Sequence, residues 1–196
     1  MSAAEDTVLE SDAVTTGTLA RGSLAGVGAW LLGYLVAYVL KADAVSEALR
    51  GVGFVSQVLG GEAIPAWKGV SWLFLNAHFV ATRFPTIAGG TQTTNFVTGE
   101  EGSALLLALP PLLLVAAGLV VTYGHRGPLP ERATAGASVA LGYLPASALV
   151  ALLGTHSIGA TEATIAADLV TAVLLAGVVY PVVFGALGGA VGAALE

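Results

Sequence analysis

The chain of 196 residues contains no cysteine. Disulfides, thiolate metal sites and cysteine nucleophiles are thereby excluded. Charge is scarce as well: Asp, Glu, Lys and Arg make up 10%, against roughly 25% in ordinary soluble domains. Lysine occurs only as Lys41 and Lys68, and 7 basic residues face 13 acidic ones, for a formal net charge of -6. So acidic a chain offers no electrostatic footprint for nucleic acid and no polybasic contact for anionic lipid. There is no HExxH, no P-loop and no GxGxxG following a strand. Gly136-Ala-Ser138 shares only part of the serine motif of rhomboid proteases. The next glycine is missing, and the sole later histidine, His156, falls in a link between helices. Glu100-Glu101 lacks the basic and histidine partners of membrane proteases. No enzyme activity, cofactor or metal site is therefore expected.

What the chain does have is apolar length. Hydrophobic residues make up 56%, and the stretches 22–40, 102–125, 133–161 and 169–195 carry no formal charge. About 20 apolar residues at 1.5 Å each span a ~30 Å hydrocarbon core. A soluble core helix has no reason to be apolar on every face for so long. The expectation is an integral membrane protein, with the lipid bilayer as its first partner. Its length suits one small helical bundle and not a bundle plus a soluble domain. Residues 1–16, with Glu5, Asp6, Glu10 and Asp12 and no base, read as a disordered acidic tail, and 17–196 as one transmembrane domain. Ala42-Asp43-Ala44 resembles a signal-peptide cleavage site. The long acidic leader and span-length apolar run argue instead for an uncleaved helix. Abundant Ala, Gly, Val and Thr with little Lys fits a protein of a salt-loving archaeon.

The expected fold is all-α: a polytopic membrane helical bundle of about five transmembrane helices plus one interfacial amphipathic helix. Spans are expected over about 22–40, 66–83, 103–123, 134–153 and 165–194. Residues 43–60 place Val45, Ala48, Leu49, Val52, Val55 and Leu59 in one arc and read as the interfacial helix. Ala25, Ala29, Gly33 and Ala37 form a small-residue ridge for close helix approach. Gly185, Gly189 and Ala193, beside Gly188 and Gly192, form similar ridges. These suit a homo-oligomer, a membrane-complex partner, or the seating of the last helix against the first. Pro110, Pro111, Pro145 and Pro181 interrupt three spans and read as kinks.

Segment 66–83, AWKGVSWLFLNAHFVATR, is the ambiguous one. If it crosses, with the 125–132 connection in the cytoplasm, five basic residues lie inside and two outside, as the positive-inside rule prefers. If it does not, three lie inside and four outside. The count therefore favours five spans, with the amino terminus outside and the carboxyl terminus cytoplasmic. The same segment supplies most of a candidate polar cluster: Lys68, Ser71, Asn76, His78 and Arg83, joined by His156 and Asp168, with Glu162 nearby. Ionisable groups near spans are where function would sit. Asp168 is expected to pair with His78, Arg83 or a hydroxyl such as Thr82. Pairing with His78 would serve proton or cation movement, whereas pairing with Arg83 would make a static clamp.

The stretch GEAIPAWKGVSWLFLNAHFV, residues 61–80, resembles a motif of a family of small haloarchaeal membrane proteins. That family shares a W-K-x-x-x-W-L-F-x-N-A-H-F core after a Gly-rich span, then a Gly/Thr/Asn loop and a Pro-Pro-interrupted helix. The resemblance implies a multi-spanning membrane fold over most of the chain and supplies no catalytic residue. Some members carry only a transporter label. The expected role is a non-enzymatic structural or accessory membrane component. The alternative is a small transporter or channel using the polar side of 66–83.

Overall fold

The computed structural model describes residues 15–86, 90–98, 103–124 and 127–194. Most of the acidic tail, Glu100-Glu101, His125, Arg126 and the last two residues lie outside them. Helix α1 (Thr16–Val58) is one rod of 43 residues, about 64 Å long at 1.5 Å per residue. The expected separate interfacial helix is the second half of this rod. Lys41, Asp43, Glu47 and Arg50 mark a change of environment, but charge does not stop a helix, and no proline occurs in the helix. It stops where Gly60 takes φ +82. There the Gly61 and Gly60 N–H groups return to the Ser56 and Gln57 carbonyls, a glycine-closed C-terminus.

Helix α2 (Ala66–Asn76) has only 11 residues, about 16 Å, half of what a crossing needs. Strands β1 (Thr82–Pro85) and β2 (Thr91–Thr94) follow, then α3 (Ala104–Thr122), α4 (Leu129–Ala137) and α5 (Ala140–Leu153). Strands β3 (His156–Ser157) and β4 (Thr164–Ala167) precede α6 (Leu169–Thr171), a π-helical segment over Ala172–Val179, and α7 (Tyr180–Ala194). The four strands form an antiparallel sheet in the order β2-β1-β4-β3, where an all-α fold was expected.

Among the described residues, four helical stretches are long and apolar enough to cross a membrane: Thr16–Val58, Ala104–Thr122, Leu129–Leu153 and Leu169–Ala194. Segment 66–83, expected as a span, is not among them: it holds the 11-residue α2 and then a chain that turns back into β1. Glycines set how closely the long helices approach. A Cβ at Gly26 would collide with the Val139 carbonyl, and one at Gly142 with that of Ser23, so α1 and α5 touch backbone to backbone. Ala29, Gly33 and Ala37 of the expected ridge are buried, while Leu32 is exposed. A Cβ at Gly118 of α3 or Gly136 of α4 would meet the Gly185 carbonyl of α7, and one at Gly189 would meet that of Arg132. The ridge on the last helix therefore seats α7 against α3 and α4. At this end Arg132 is buried, its Nη2 donating to the Thr122 carbonyl at 3.4 Å.

Gly22 packs on Ser138 and Gly189 on Arg132, so the start of α1 and the last half of α7 lie at the same end of the bundle. Five crossings would instead put these two segments at opposite ends. At the other end, the second half of α1, α2, the sheet and the 154–164 link form a cap. The Ala160 N–H donates to the Leu59 carbonyl at 2.9 Å, and the Gly159 N–H to the Ser56 hydroxyl at 3.1 Å, closing the link over the end of α1.

Candidate functional site

The polar residues singled out in 66–83 sit on a hairpin inserted between the long helices. Its first turns are moored where α5 stops. Trp72 Nε1 donates to the Gly154 carbonyl at 3.0 Å and Lys68 Nζ to the Thr155 carbonyl. Its far end goes deeper. Phe74 packs edge-on against Trp30 and fills the space at Gly33 on α1. His78 reaches Tyr143 on α5 and Tyr180 on α7. Tyr143 lies three helical turns before Gly154, about 16 Å. The tip thus comes near the midpoints of α1, the α4–α5 stretch and the α6–α7 stretch.

The turn at the tip reverses the chain without glycine. The Val80 N–H bonds the Leu75 carbonyl at 3.3 Å and the Phe79 N–H the Asn76 carbonyl at 2.9 Å. This C-terminal motif places one residue in the left-handed region, a position glycine usually fills. Here Phe79 holds it at φ 61, with its side chain exposed. The Cβ contact costs about 1–2 kcal/mol. Phe79→Gly should therefore keep or raise stability, by up to about 1 kcal/mol after the glycine's greater unfolded-state freedom. Phe79→Val should lower it, because branching at Cβ tightens the clash. Denaturation midpoints in mixed micelles would rank the two variants; equal losses in both would refute the strain.

Behind the turn, Asn76 is fully buried and every polar atom of its amide is engaged. Its Nδ2 donates to the Val80 carbonyl at 2.7 Å and the Thr82 hydroxyl at 3.0 Å, and its Oδ1 accepts from the Phe96 N–H at 3.0 Å. Asn95 Nδ2 donates to the Asn76 backbone carbonyl at 3.0 Å. One side chain thus ties the helix end to both the returning strand and the segment after β2.

His78 is fully buried. Its Nδ1 lies 2.9 Å from the Phe74 carbonyl, which only accepts, so Nδ1 carries a hydrogen. Its Nε2 lies 2.7 Å from the Tyr143 hydroxyl, which donates to it in the neutral ring. The ring also packs 5.0 Å from that of Tyr180, centroid to centroid. Tyr180 closes the π-helical segment and precedes Pro181, whose missing N–H already leaves the Gly177 carbonyl without its regular partner.

The remaining candidates lie elsewhere. Ser71 is buried and donates to the Trp67 carbonyl at 2.7 Å. Asp168 caps α6, its Oδ1 accepting from the Thr171 N–H at 2.9 Å and hydroxyl at 3.0 Å. Arg83 Nε lies 3.8 Å from its other oxygen, both side chains being partly exposed. The Thr171 N–H first, then the Thr171 hydroxyl and the Arg83 guanidinium, hold this carboxyl below the ordinary aspartate range. The expected partner choice thus resolves to Arg83, a static and weak clamp, and not to His78. His156 sits in the cap near Lys68, with Nε2 buried and without a hydrogen-bond partner among the described residues. Ser138 bonds the Ala135 carbonyl at the opposite end of α5, about 21 Å of helix from His156. Among the described residues no three His, Asp or Glu side chains gather as metal ligands would.

Burial and the Lys68 charge push the His156 pKa down from its ordinary value. A ring that resists protonation when folded leaves stability intact above its unfolded pKa of about 6.5 and erodes it as pH falls below. The unfolding midpoint should therefore fall between pH 7.5 and pH 5 by more in the parent than in His156→Gln. Identical pH profiles would show that this ring does not contribute.

Tyr143, Tyr180, Asn95 and Phe79 belong to the site and are not among the residues that sequence reasoning selects. Tyr143 carries a signal, being a phenol in a long apolar run, and a buried hydroxyl needs a partner.

The fold and site together define a bundle of four long apolar helices with a short, polar, self-bonded hairpin inserted from one end. The family model that matches spans residues 1–196, and the chain belongs to that family, DUF7978, described as a family of unknown function. No curated protein and no solved structure matches the chain.

Proposed function

We propose that this chain is an integral membrane protein whose four long helices cross the bilayer. In this reading the 65–85 hairpin enters part-way between them, and the role is structural or accessory rather than catalytic. Supporting the membrane reading is an outward belt of large apolar side chains. Leu31 and Leu35 of α1, Leu112 of α3, Leu149 of α5 and Leu187 of α7 are about half exposed or more. Soluble monomers do not surround themselves with such a surface. Backbone that is neither helical nor in a closed barrel is tolerated at membrane depth only inside protein, and the turn at 77–80 is buried save for Phe79. The acidic, lysine-poor composition supports a salt-adapted archaeal source.

One observation carries the choice of role: Ser71, Asn76, His78 and Thr82 are fully buried and each is bonded within the protein. A transport path along this polar side needs those atoms facing water; here they hold the hairpin in place. Flux of protons or a small solute in reconstituted vesicles, abolished by His78→Phe, would replace this reading with transport.

Four crossings put both chain ends on one side. Single cysteines at Gly17 and Gly127 should share one labelling state in intact cells treated with an impermeant thiol reagent. Cysteines at Gly51, Gly90 and Glu162 should share the other. Opposite states at Gly51 and Gly90 would restore a crossing by the hairpin and defeat the four-span reading.

A further inference from the structure

The cap contains an open cleft of about 680 Å³, within the size range of small-molecule sites. Val45 and Leu49 of α1 form one wall, Trp72 and Leu73 of α2 the floor, and Phe84 and Phe96 the other wall. The lining is predominantly apolar, and among the described residues its only cationic or acidic side chain is that of Lys41. Lys41 is the first charge after the 22–40 run, and no carboxylate pairs with it among the described residues. Ser103 also lines the cleft, and its hydroxyl makes no capping bond to α3. The amide of Asn95, in contrast, is spent on its own backbone neighbours and Asn76. The cleft therefore offers an apolar trough with one cation that no described carboxylate pairs, in a chain of formal charge -6 where cations are few.

We propose that this cleft binds an anionic single-chain amphiphile of the fatty-acid type. The carboxylate lies against Lys41 and the chain runs between Val45, Leu49, Phe84 and Phe96. Charge complementarity selects this occupant over a partner helix. A helix of ordinary apolar composition brings no anion to Lys41, and would leave its ammonium half-covered and unpaired. The cleft is distinct from the His78 site, and the inference goes beyond the structural role proposed above.

Trp72 forms part of the lining and reports on occupancy. Trp72 is nearly covered, 1% exposed, so the full chain in phosphatidylcholine nanodiscs would be titrated with 9,10-dibromostearate, whose bromines quench tryptophan at short range without needing an exposed ring. Saturable quenching is expected, and Trp72→Phe should remove its saturable part. Lys41→Gln should weaken apparent affinity by about fivefold, the worth of one lysine against one anion near a membrane surface. The methyl ester, which lacks the charge, should bind the parent about as weakly as the acid binds Lys41→Gln. Ala48→Phe, which places a ring into the trough, should abolish saturable quenching of Trp72. Equal binding of acid and ester would overturn the carboxylate recognition. Quenching that rises linearly, or that survives in Trp72→Phe, would reduce the effect to bilayer contact and overturn the site. No quenching of Trp72 by any added amphiphile would also overturn it and leave the cleft to a polypeptide partner.

Discussion

Gly136→Leu should leave the chain unable to hold α3, α4 and α7 in their present arrangement. Even a Cβ at this position would fall inside the van der Waals envelope of the Gly185 carbonyl oxygen, and near the Gly189 backbone. The obstacle is backbone, which cannot swing aside as a side chain does. Overpacking a close-packed interior ordinarily costs about 1–3 kcal/mol. Here α4 and α7 must separate along their length, so loss should reach the top of that range or exceed it. Gly136→Ala should show a smaller loss, and Gly28→Leu, where nothing lies within 4 Å, almost none. Unfolding midpoints and yields in mild detergent would establish the order. A Gly136→Leu protein as stable as Gly28→Leu would mean that the three helices do not meet at this point.

Asn76→Leu should be the most damaging change in the hairpin. Leucine is close to asparagine in size but cannot bond. The Phe96 N–H and the Val80 carbonyl would each lose a buried partner, at about 1–3 kcal/mol per unsatisfied group. Asn76→Asp keeps the acceptor for Phe96 but loses the donor and adds a buried charge with no cation beside it, so it should be no better. Loss of the amide should free the returning strand and with it the β1–β4 pairing. Hydrogen exchange at Thr82 and Arg83 would report this directly. Unchanged protection there in Asn76→Leu would show that the sheet, not the amide, holds the hairpin.

The four long helices are legible because an apolar run is a local property. Each charge-free stretch is helical over most of its described length, broken near Ser138, after Leu153 where the link begins, and by the π-helical turns before Pro181. The extension of α1 past Lys41 is not legible, since helix continuity depends on breakers and charge is not one. The sheet is hidden for a different reason. Its strands have two to four residues and pair across the chain, Thr82 with Ala167 and His156 with Ile165. No periodicity survives in so few residues. The fate of 66–83 is written in its length. Its uncharged part is short for a crossing, and the balance of seven basic residues points the other way. In so small a set, adding or removing one crossing reverses the charge asymmetry.

At the site, sequence selects Asn76 and His78 but not their partners. The polar face of a short amphipathic segment is visible at helical spacing. Tyr143, 65 residues further along, is not. Five crossings would bring Asp168 level with His78 at the ends of two spans. Once the hairpin turns back, β1 runs against β4, and the Arg83 side chain is carried to the carboxylate instead.

The unbroken α1 links the two ends of the molecule mechanically. Gly22 is fixed in the bundle against α4–α5, and Leu59 lies in the cap beneath Ala160. A rod that traverses both acts as a lever. The two positions are separated by about 55 Å of helix, so a rotation of about 5° about Gly22 carries Leu59 through about 5 Å. Val45 and Leu49 travel with it, and the wall they form opens or closes against Phe84. The width of a cleft outside the bundle is thereby geared to the angle at which α1 packs within it.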